Sequence, residues 1–309
     1  MVGARRQTPV GGEVYLDHVG WFVGDMDRAG VAFERLGFVL TPFVAQKNAD
    51  PDGGPPVPAG TGNRCAMLRR GYLEVLATVA GLDTPLVRQH DAAIARYTGV
   101  HLLAFTVADA QAAQARLAQA GFAPQDPVHL RRPIETEGGG EAEVAFTVIR
   151  VPPGTMAEGR VQILTQETPD LVWQDRLLAR DNRIAALTGA LLCVADVDEA
   201  AARYARFLGR PAAGGGDYAA IALDRGRLAF AGPARCRALL PGIDMVAPPV
   251  IAAVALETDD IAATRLFLRS RGIPLAFEGA DRLCVDPGAA MGAALLIHGP
   301  DDVWPPDAA

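Results

Sequence analysis

Lysine is nearly absent from this chain, and acidic residues outnumber basic ones. Lys47 is the single lysine among 309 residues, so arginine supplies the other 28 of the 29 basic side chains. With 36 acidic residues, the formal net charge is −7. This balance argues against the basic surface that binds nucleic acid or an anionic membrane. We therefore expect neither as a partner.

Cysteine is also scarce, and the four cysteines stand far apart in the sequence. They are Cys65, Cys193, Cys236 and Cys284, and no two of them form a C-x-x-C pair. This spacing gives no support for a zinc ribbon or a thioredoxin-like site. Isolated cysteines in apolar segments are typical of small buried side chains in a reducing compartment.

Targeting segments and nucleotide-binding motifs are missing as well. The first nine residues contain no apolar core of a secretory signal, and the longest apolar stretch, 250–256, is too short to span a bilayer. We therefore expect a cytoplasmic protein. The glycine runs 138–140 and 214–216 lack the lysine of a phosphate-binding loop, which indicates turns.

One sequence phrase occurs four times: an apolar segment, an acidic residue, and an alanine-rich amphipathic segment that ends in glycine. The copies cover residues 17–37, 101–121, 190–209 and 251–272. An acidic side chain at a helix start accepts free backbone N–H groups, and glycine at the end adopts the left-handed conformation. Extended segments follow each copy. The pattern predicts an α+β fold of four tandem βαβββ modules.

Length and spacing also suggest a division of the chain. With roughly 150 residues per domain, 309 residues favour two domains. We predict modules over 14–80 and 99–168 in a first domain, 1–175, and a second pair of modules over 176–309. A linker helix is expected over 85–97. A strand is expected over 38–42, followed by a long loop over 45–62.

The modules resemble those of the vicinal oxygen chelate superfamily, which includes glyoxalase I, extradiol dioxygenases and bleomycin-resistance proteins. The first half is similar to the bacterial glyoxalase-like domain group in five segments: 16–20 (LDHVG), 36–38 (LGF), 60–64 (GTGNR), 71–76 (GYLEVL) and 168–173 (TPDLVW). The resemblance implies that the four modules pair into two glyoxalase/dioxygenase-like domains with curved mixed sheets. It also implies a divalent metal in a cleft between paired modules, held by the first and last strands of each.

Side-chain alternation selects the cleft-facing residues of the first module. The helix must cover the apolar face that carries Val19 and Trp21, so His18 faces the cleft. In the last strand, Glu74 faces the cleft by the same argument. An imidazole and a carboxylate suit Zn, Fe, Mn or Ni. Glu74 is also the candidate catalytic residue for proton transfer.

The second module departs from the family pattern. Alignment of the repeats puts Leu102 at the position of His18 and Gln162 opposite Glu74. His101 lies one residue away, where only a β-bulge would bring it to the cleft. The expected metal ligands are therefore His18, Glu74, His101 and Gln162.

Four further residues are candidates for substrate binding: Asn63, Arg64, Tyr72 and Arg150. Asn63 and Arg64 end the long loop, where substrate contact and loop anchoring are both open. Arg150 could bind a carboxylate or phosphate through two hydrogen bonds, although a solvated strand arginine is the commoner case. The second half offers no ligand pair, so we expect it to be degenerate, with a structural role or a partner surface.

The resemblance implies a metal-dependent lyase or isomerase of the glyoxalase type that acts on a small oxygenated substrate. An Fe(II) extradiol-type dioxygenase is the first alternative, because His18, His101 and Glu74 would form its ligand set. A metal-free binding or resistance protein is the second, with Phe22, Tyr72 and Trp173 as aromatic walls. A monomer and a homodimer fit the sequence equally.

Overall fold

The computed structural model describes residues 6–48, 54–244 and 246–308. The fold is α+β, as predicted, with a large curved mixed sheet. The helices are α1 (Met26–Arg35), α2 (Pro85–Arg96), α3 (Ala110–Gln119), α4 (Pro169–Val172), α5 (Val197–Leu208), α6 (Pro233–Leu239) and α7 (Ile261–Ser270). Among the described helices, none combines the length and apolar composition that crossing a bilayer requires.

The strands of the first half are β1 (Val14–Phe22), β2 (Val44–Asn48), β3 (Val57–Met67), β4 (Tyr72–Thr78), β5 (Gly99–Val107), β6 (Val128–Glu135), β7 (Glu141–Arg150) and β8 (Arg160–Gln166). Those of the second half are β9 (Ile184–Cys193), β10 (Ala213–Gly215), β11 (Tyr218–Ala222), β12 (Arg227–Ala231), β13 (Val250–Thr258), β14 (Leu275–Glu278), β15 (Arg282–Val285) and β16 (Ala294–His298).

The strand pairing places four parallel pairs within the sheet. β1 pairs with β4, β5 with β8, β9 with β12, and β13 with β16, all in parallel. β1 and β5 pair antiparallel, and so do β9 and β13. The two halves join through β5 and β13, where Ile251 pairs with Val100. As a result, the first half is a curved eight-stranded sheet whose centre is formed by β1 and β5.

The four repeated helices begin and end where the sequence predicts. The carboxylates of Asp25, Asp109, Asp196 and Asp260 accept backbone N–H groups at the starts of α1, α3, α5 and α7. The glycines that follow these helices have φ between 60° and 86°. An added Cβ would be strained in that conformation.

One hydrophobic cluster lies between these helices and the sheet. It contains Val19 and Trp21 of β1 and Phe33 of α1, and it continues into the second half through Leu192 and Ile297. The indole N–H of Trp21 also donates to the backbone oxygen of Ala290, at 2.9 Å. The two halves thus share one core, while the division at residue 175 stays a prediction.

The concave face of the second half is filled by its own side chains and by the C-terminal tail. Trp304, which is 2% exposed, packs with Tyr218 and Ala229 in an apolar cluster. A Cβ on Gly189 would approach Pro305 Cδ to 2.7 Å. Gly189 pairs with Arg227 in the way that His18 pairs with Tyr72. The tail therefore covers the position that corresponds to His18.

Two local predictions about the first half are wrong. No strand forms over residues 38–42, and the segment predicted as one loop over 45–62 contains β2 and the start of β3. The sequence there is rich in glycine and proline. However, β3 pairs with β4 in the sheet, β2 pairs with β3 at its edge, and these hydrogen bonds override the local composition.

Candidate functional site

The concave face of the first half encloses a cavity of about 270 Å³. We refer to this cavity as the cleft. Strands from both sides of the β1–β5 pair line it, together with residues 41–46 and 172–177. Side chains at its centre are His18, Asn63, Tyr72, Glu74, Leu102, Arg132, Arg150, Arg160 and Gln162.

His18 and Glu74 meet in the cleft. His18 Nε2 lies 3.6 Å from Glu74 Oε2, and both side chains are buried. On the other edge of the ring, His18 Nδ1 lies 2.7 Å from the carboxylate of Asp17. Asn63 Nδ2 donates to Glu74 Oε1 at 2.5 Å. The contact of Nδ1 with Asp17 directs the other ring nitrogen, Nε2, towards Glu74 and the cleft.

A β-bulge at Asp17 makes this arrangement possible. In the β1–β5 pairing, Leu16 is opposite Phe105 and His18 is opposite Ala104, so Asp17 has no partner residue. Asp17 is fully buried, and Gln166 Nε2 donates to both of its oxygens, at 3.2 and 3.3 Å. The buried carboxylate is therefore anchored and can fix the orientation of the His18 ring.

Tyr72 forms the wall beside His18. Its ring stacks on the imidazole with a centroid distance of 4.3 Å. Burial raises the pKa of the Tyr72 phenol well above its usual value, so the hydroxyl stays neutral. The structure thus brings His18, Asn63, Tyr72 and Glu74, all named from the sequence, to one end of the cleft.

Strand pairing identifies which residues of the second module are equivalent to His18, Tyr72 and Glu74 of the first module. In the first module, His18 pairs with Tyr72 and Gly20 with Glu74. In the second, Leu102 pairs with Arg160 and Ala104 with Gln162. Leu102, Arg160 and Gln162 all line the cleft. In the second module, Leu102 therefore occupies the position equivalent to His18, as the alignment predicts. Arg160 occupies the position equivalent to Tyr72.

Three arginines bring positive charge to this end of the cleft. Arg132, Arg150 and Arg160 are half-buried, whereas Glu74 is the one buried carboxylate among the described residues that line the cleft. Burial lowers the pKa of Arg132 and Arg150, and it lowers that of Arg160 to about 10. The charged forms are thus poorly compensated by the protein, and an anionic ligand would offset part of this cost.

His101 is the residue that the structure does not bring to this group. It is the bulged residue of β5, because Leu102 and Val100 pair with the consecutive residues Gly20 and Trp21. Its Nε2 lies 2.8 Å from the backbone oxygen of Tyr97, and its ring stacks on the Tyr97 ring at 3.9 Å. His101 does not line the cleft.

The environment of His101 predicts acid sensitivity. Burial lowers its pKa from 6.5 to about 4, so the folded protein binds fewer protons than the unfolded chain between these values. This contribution to stability is complete above pH 6.5 and is lost as the pH falls to 4. It amounts to about 3 kcal/mol. We expect urea unfolding of His101→Gln to depend less on pH across this interval than the wild type.

The exposed His129 provides the matched control for that experiment. His129→Gln should keep the wild-type dependence on pH. A His101→Gln protein with the wild-type slope between pH 6.5 and 4 would contradict the assignment of a buried neutral imidazole.

Arg64 lies on the opposite face of β3 from the cleft. Its Nε donates to the backbone oxygen of Thr41 at 2.9 Å, and Nη2 donates to Glu34 Oε1 at 3.1 Å. These contacts attach the segment after α1 to β3. Neither contact involves the segment 45–62, and a role of Arg64 in substrate binding stays a prediction.

Sequence reasoning missed Arg160 and the role of Asp17. Arg160 precedes Gln162 by two residues, so the same alternation that directs Gln162 to the cleft also directs Arg160 there. That signal was available. The bulge that frees Asp17 has no comparable signal in a single strand, because it depends on the partner strand.

The residues of the cleft do not fit a complete metal-binding set. His18 and Glu74 offer an imidazole nitrogen and a carboxylate, and Gln162 offers an amide oxygen. Leu102 contributes no donor, and His101 Nε2 is engaged with Tyr97. In the described ranges, no group of three His, Cys, Asp or Glu side chains has a metal-binding arrangement. Arg150 and Arg160 add charge of the sign that opposes a cation.

Several solved structures share this fold. A hypothetical protein from Staphylococcus aureus has a TM-score of 0.63 and 10% identity, covering 93% of this chain and 99% of its own. A variant of 4-hydroxymandelate synthase from Streptomyces coelicolor has a TM-score of 0.53 and 16% identity, with 93% of each chain covered. At these identities, the likeness concerns the fold alone.

A third structure is a fusion of a xylose isomerase-like TIM barrel and a 4-hydroxyphenylpyruvate dioxygenase. It has a TM-score of 0.57 and 15% identity over 97% of this chain, which spans about half (51%) of the fusion. No curated protein matches the chain. The model of the glyoxalase-like domain family matches residues 16–208, more than half of the sequence. The chain therefore belongs to the glyoxalase-like domain family of the vicinal oxygen chelate superfamily.

Proposed function

We propose that the cleft binds a small carboxylate-bearing, oxygenated molecule and catalyses proton transfer on it, as a lyase or isomerase does. The observation that carries the proposal is the apposition of the His18–Glu74 pair and the half-buried arginines Arg150 and Arg160 in one cavity. The first group can move a proton, and the second can hold an anion.

The second half contains an internal parallel for the anion-binding role. Arg227 pairs with Gly189 as Arg160 pairs with Leu102, so the two arginines hold equivalent positions. Arg227 Nη1 donates to the carboxylate of Asp307 at 2.8 Å and to the backbone oxygen of Pro305 at 2.9 Å. An arginine at this position of the fold can therefore pair with a carboxylate, although the Asp307 side chain is itself exposed.

Proton transfer would use His18 and Glu74. When Asp17 accepts the Nδ1 proton of His18, Nε2 carries a lone pair and can act as a base. A C–H bond next to a carbonyl breaks, the proton moves to Nε2, and the electron pair spreads onto the carbonyl oxygen. A nearby arginine stabilises this oxygen. The proton then returns to another atom of the substrate, while Asn63 keeps Glu74 oriented.

The test is exchange of carbon-bound hydrogen in deuterated water. We would follow pyruvate and 4-hydroxyphenylpyruvate by NMR with wild type, His18→Ala and Glu74→Gln, and with His129→Ala as a histidine control outside the cleft. Since acid–base catalysis contributes about 10²- to 10⁴-fold, His18→Ala should reduce the exchange rate by at least a hundredfold. Equal rates in wild type and His18→Ala would refute the proposal.

The metal dependence implied by the family resemblance requires a separate measurement. Since the second module contributes an amide and an aliphatic side chain in place of stronger donors, we expect purified protein to retain far less than one divalent metal per chain. Elemental analysis after incubation with Fe, Mn, Ni and Zn salts measures this content, with Glu74→Ala alongside. Stoichiometric metal that disappears in Glu74→Ala would contradict the expectation and restore His18, Glu74 and Gln162 as ligands.

A metal-free binding protein is the second candidate function. The aliphatic side chains of Leu76, Leu102 and Leu164 line the cleft and favour retention of a ligand without chemistry. Binding of carboxylates without hydrogen exchange would support this candidate. The dioxygenase alternative needs His101 beside His18 and Glu74, where the structure does not bring it.

A further inference from the structure

A second cavity, of about 430 Å³, lies next to the cleft. We refer to it as the second chamber. The start of β3, the first turns of α2 and the segment 150–161 enclose it, and its walls include Ala59, Leu86, Val151 and Met156. Asn48, Arg150 and Arg160 line both cavities. These three residues therefore form the boundary between the cleft and the second chamber.

Arg160 is held in place at this boundary. Its Nε and Nη2 both donate to Gln89 Oε1 on α2, at 3.0 and 2.6 Å. The guanidinium carbon lies 5.0 Å from the centroid of the Phe22 ring. These contacts fix the plane of the group but provide no carboxylate. Arg160 is therefore positioned without a direct ion pair to an acidic residue in the described part of the chain, although Glu74 acts on it electrostatically.

Arg150, at the same boundary, has fewer hydrogen-bond partners for its guanidinium group among the described residues than Arg160 has. Its Nε is buried, and no acceptor in the described part of the chain contacts it. Gln162 is its partner residue in the β7–β8 pairing, so its backbone is fixed by the sheet. A buried N–H donor without an acceptor is costly, and an anion at the boundary would supply the missing acceptor.

The second chamber itself has the character of an apolar site. Its described lining includes aliphatic side chains and prolines, namely Val57, Pro58, Pro85, Leu86, Val151 and Met156. The charged side chains in that lining are Arg150 and Arg160, both at the boundary. A ligand that crosses the boundary would therefore leave its charge at the arginines and place hydrocarbon in the chamber.

We infer that the ligand has three parts: a carboxylate that binds Arg150 and Arg160 at the boundary, an oxygenated end that faces His18, and an alkyl tail that occupies the second chamber. This inference rests on the proposed carboxylate-binding function and adds the substrate class, namely branched or substituted carboxylates whose tail is apolar. From the carboxylate at the boundary, the oxygenated end extends into the cleft and the tail extends into the second chamber. The second chamber then determines which carboxylates bind tightly.

Affinity for tailed carboxylates tests the inference. We would measure dissociation constants by calorimetry for pyruvate and for 2-oxo carboxylates with an alkyl branch of two, four or six carbons at the carbon next to the carbonyl. Burial of each methylene contributes about 0.8 kcal/mol, which corresponds to about a fourfold gain in affinity per carbon. Leu86→Trp should remove this gain because the indole fills the second chamber.

Leu266→Trp is the matched control, since Leu266 is 68% exposed on α7 and lines neither cavity. It should keep the wild-type dependence on tail length. Equal affinities for short and long acids in the wild type, or an unchanged gain in Leu86→Trp, would overturn the inference while leaving carboxylate binding intact. If neither pyruvate nor any tailed acid binds, the proposed function fails and the inference fails with it.

Discussion

Replacing Arg150 by leucine is expected to weaken binding of pyruvate about a hundredfold. Arg150 lines the cleft, and its buried Nε has no acceptor among the described residues. A hydrogen bond to a charged group contributes about 1.5–3 kcal/mol, which is equivalent to about a 10- to 150-fold change in affinity. Calorimetric titration of wild type and variant provides the measurement.

The same substitution should not lower the free energy of unfolding. Burial opposes the charged form of Arg150, so an apolar side chain of similar length removes an uncompensated cation. Arg131→Leu is the control, because Arg131 is exposed and pairs with Glu143 on the surface. Unchanged affinity in Arg150→Leu would refute the anion-binding role, and a large loss of stability would show that Arg150 is structural.

Replacing Trp304 by alanine is expected to have the largest effect on stability. Trp304 is among the largest fully buried side chains and closes the apolar cluster in the concave face of the second half. Truncation of a buried tryptophan to alanine costs about 3–5 kcal/mol. Urea unfolding monitored by circular dichroism would measure the loss.

The neighbouring Val303, which is 48% exposed, supplies the control. Val303→Ala should change the free energy of unfolding by less than about 0.5 kcal/mol. If Trp304→Ala were equally mild, the tail would not be an integral part of the second half. Activity of Trp304→Ala at low temperature should remain, because the tail does not line the cleft.

Much of the fold could be predicted because the residues at helix ends and the alternation of apolar side chains along strands favour the same structure that the packing requires. The helices α1, α3, α5 and α7 each have an acidic residue at their start and a glycine after their end, and the structure contains both features. Alternation along β1 and β4 placed His18 and Glu74 on one face, where they meet. In these strands the apolar side chains pack under the helix. Because side chains alternate between the two faces, the remaining side chains must point into the cleft.

The remaining features depend on how strands pair with one another. β2 forms in a segment whose composition favours a loop, because β3 supplies the hydrogen bonds. The side chain of His101 is determined by the bulge in β5 and by the backbone of Tyr97, neither of which a single sequence reveals. The proposed anion-binding role of the cleft depends on Arg132, Arg150 and Arg160, which lie on three different strands and come together only in the folded sheet.

The antiparallel pairing of β1 with β5 relates the two sides of the cleft by an approximate twofold axis. On one side of this axis stand His18, Tyr72 and Glu74, and on the other Leu102, Arg160 and Gln162. The strand arrangement is similar on both sides of the axis, whereas the side chains that face the cleft differ. A bound molecule therefore has only one favourable orientation, with one face towards the imidazole. If the proposed proton transfer takes place, we expect the cleft to distinguish mirror-image ligands, and a proton delivered from His18 should give a single enantiomer.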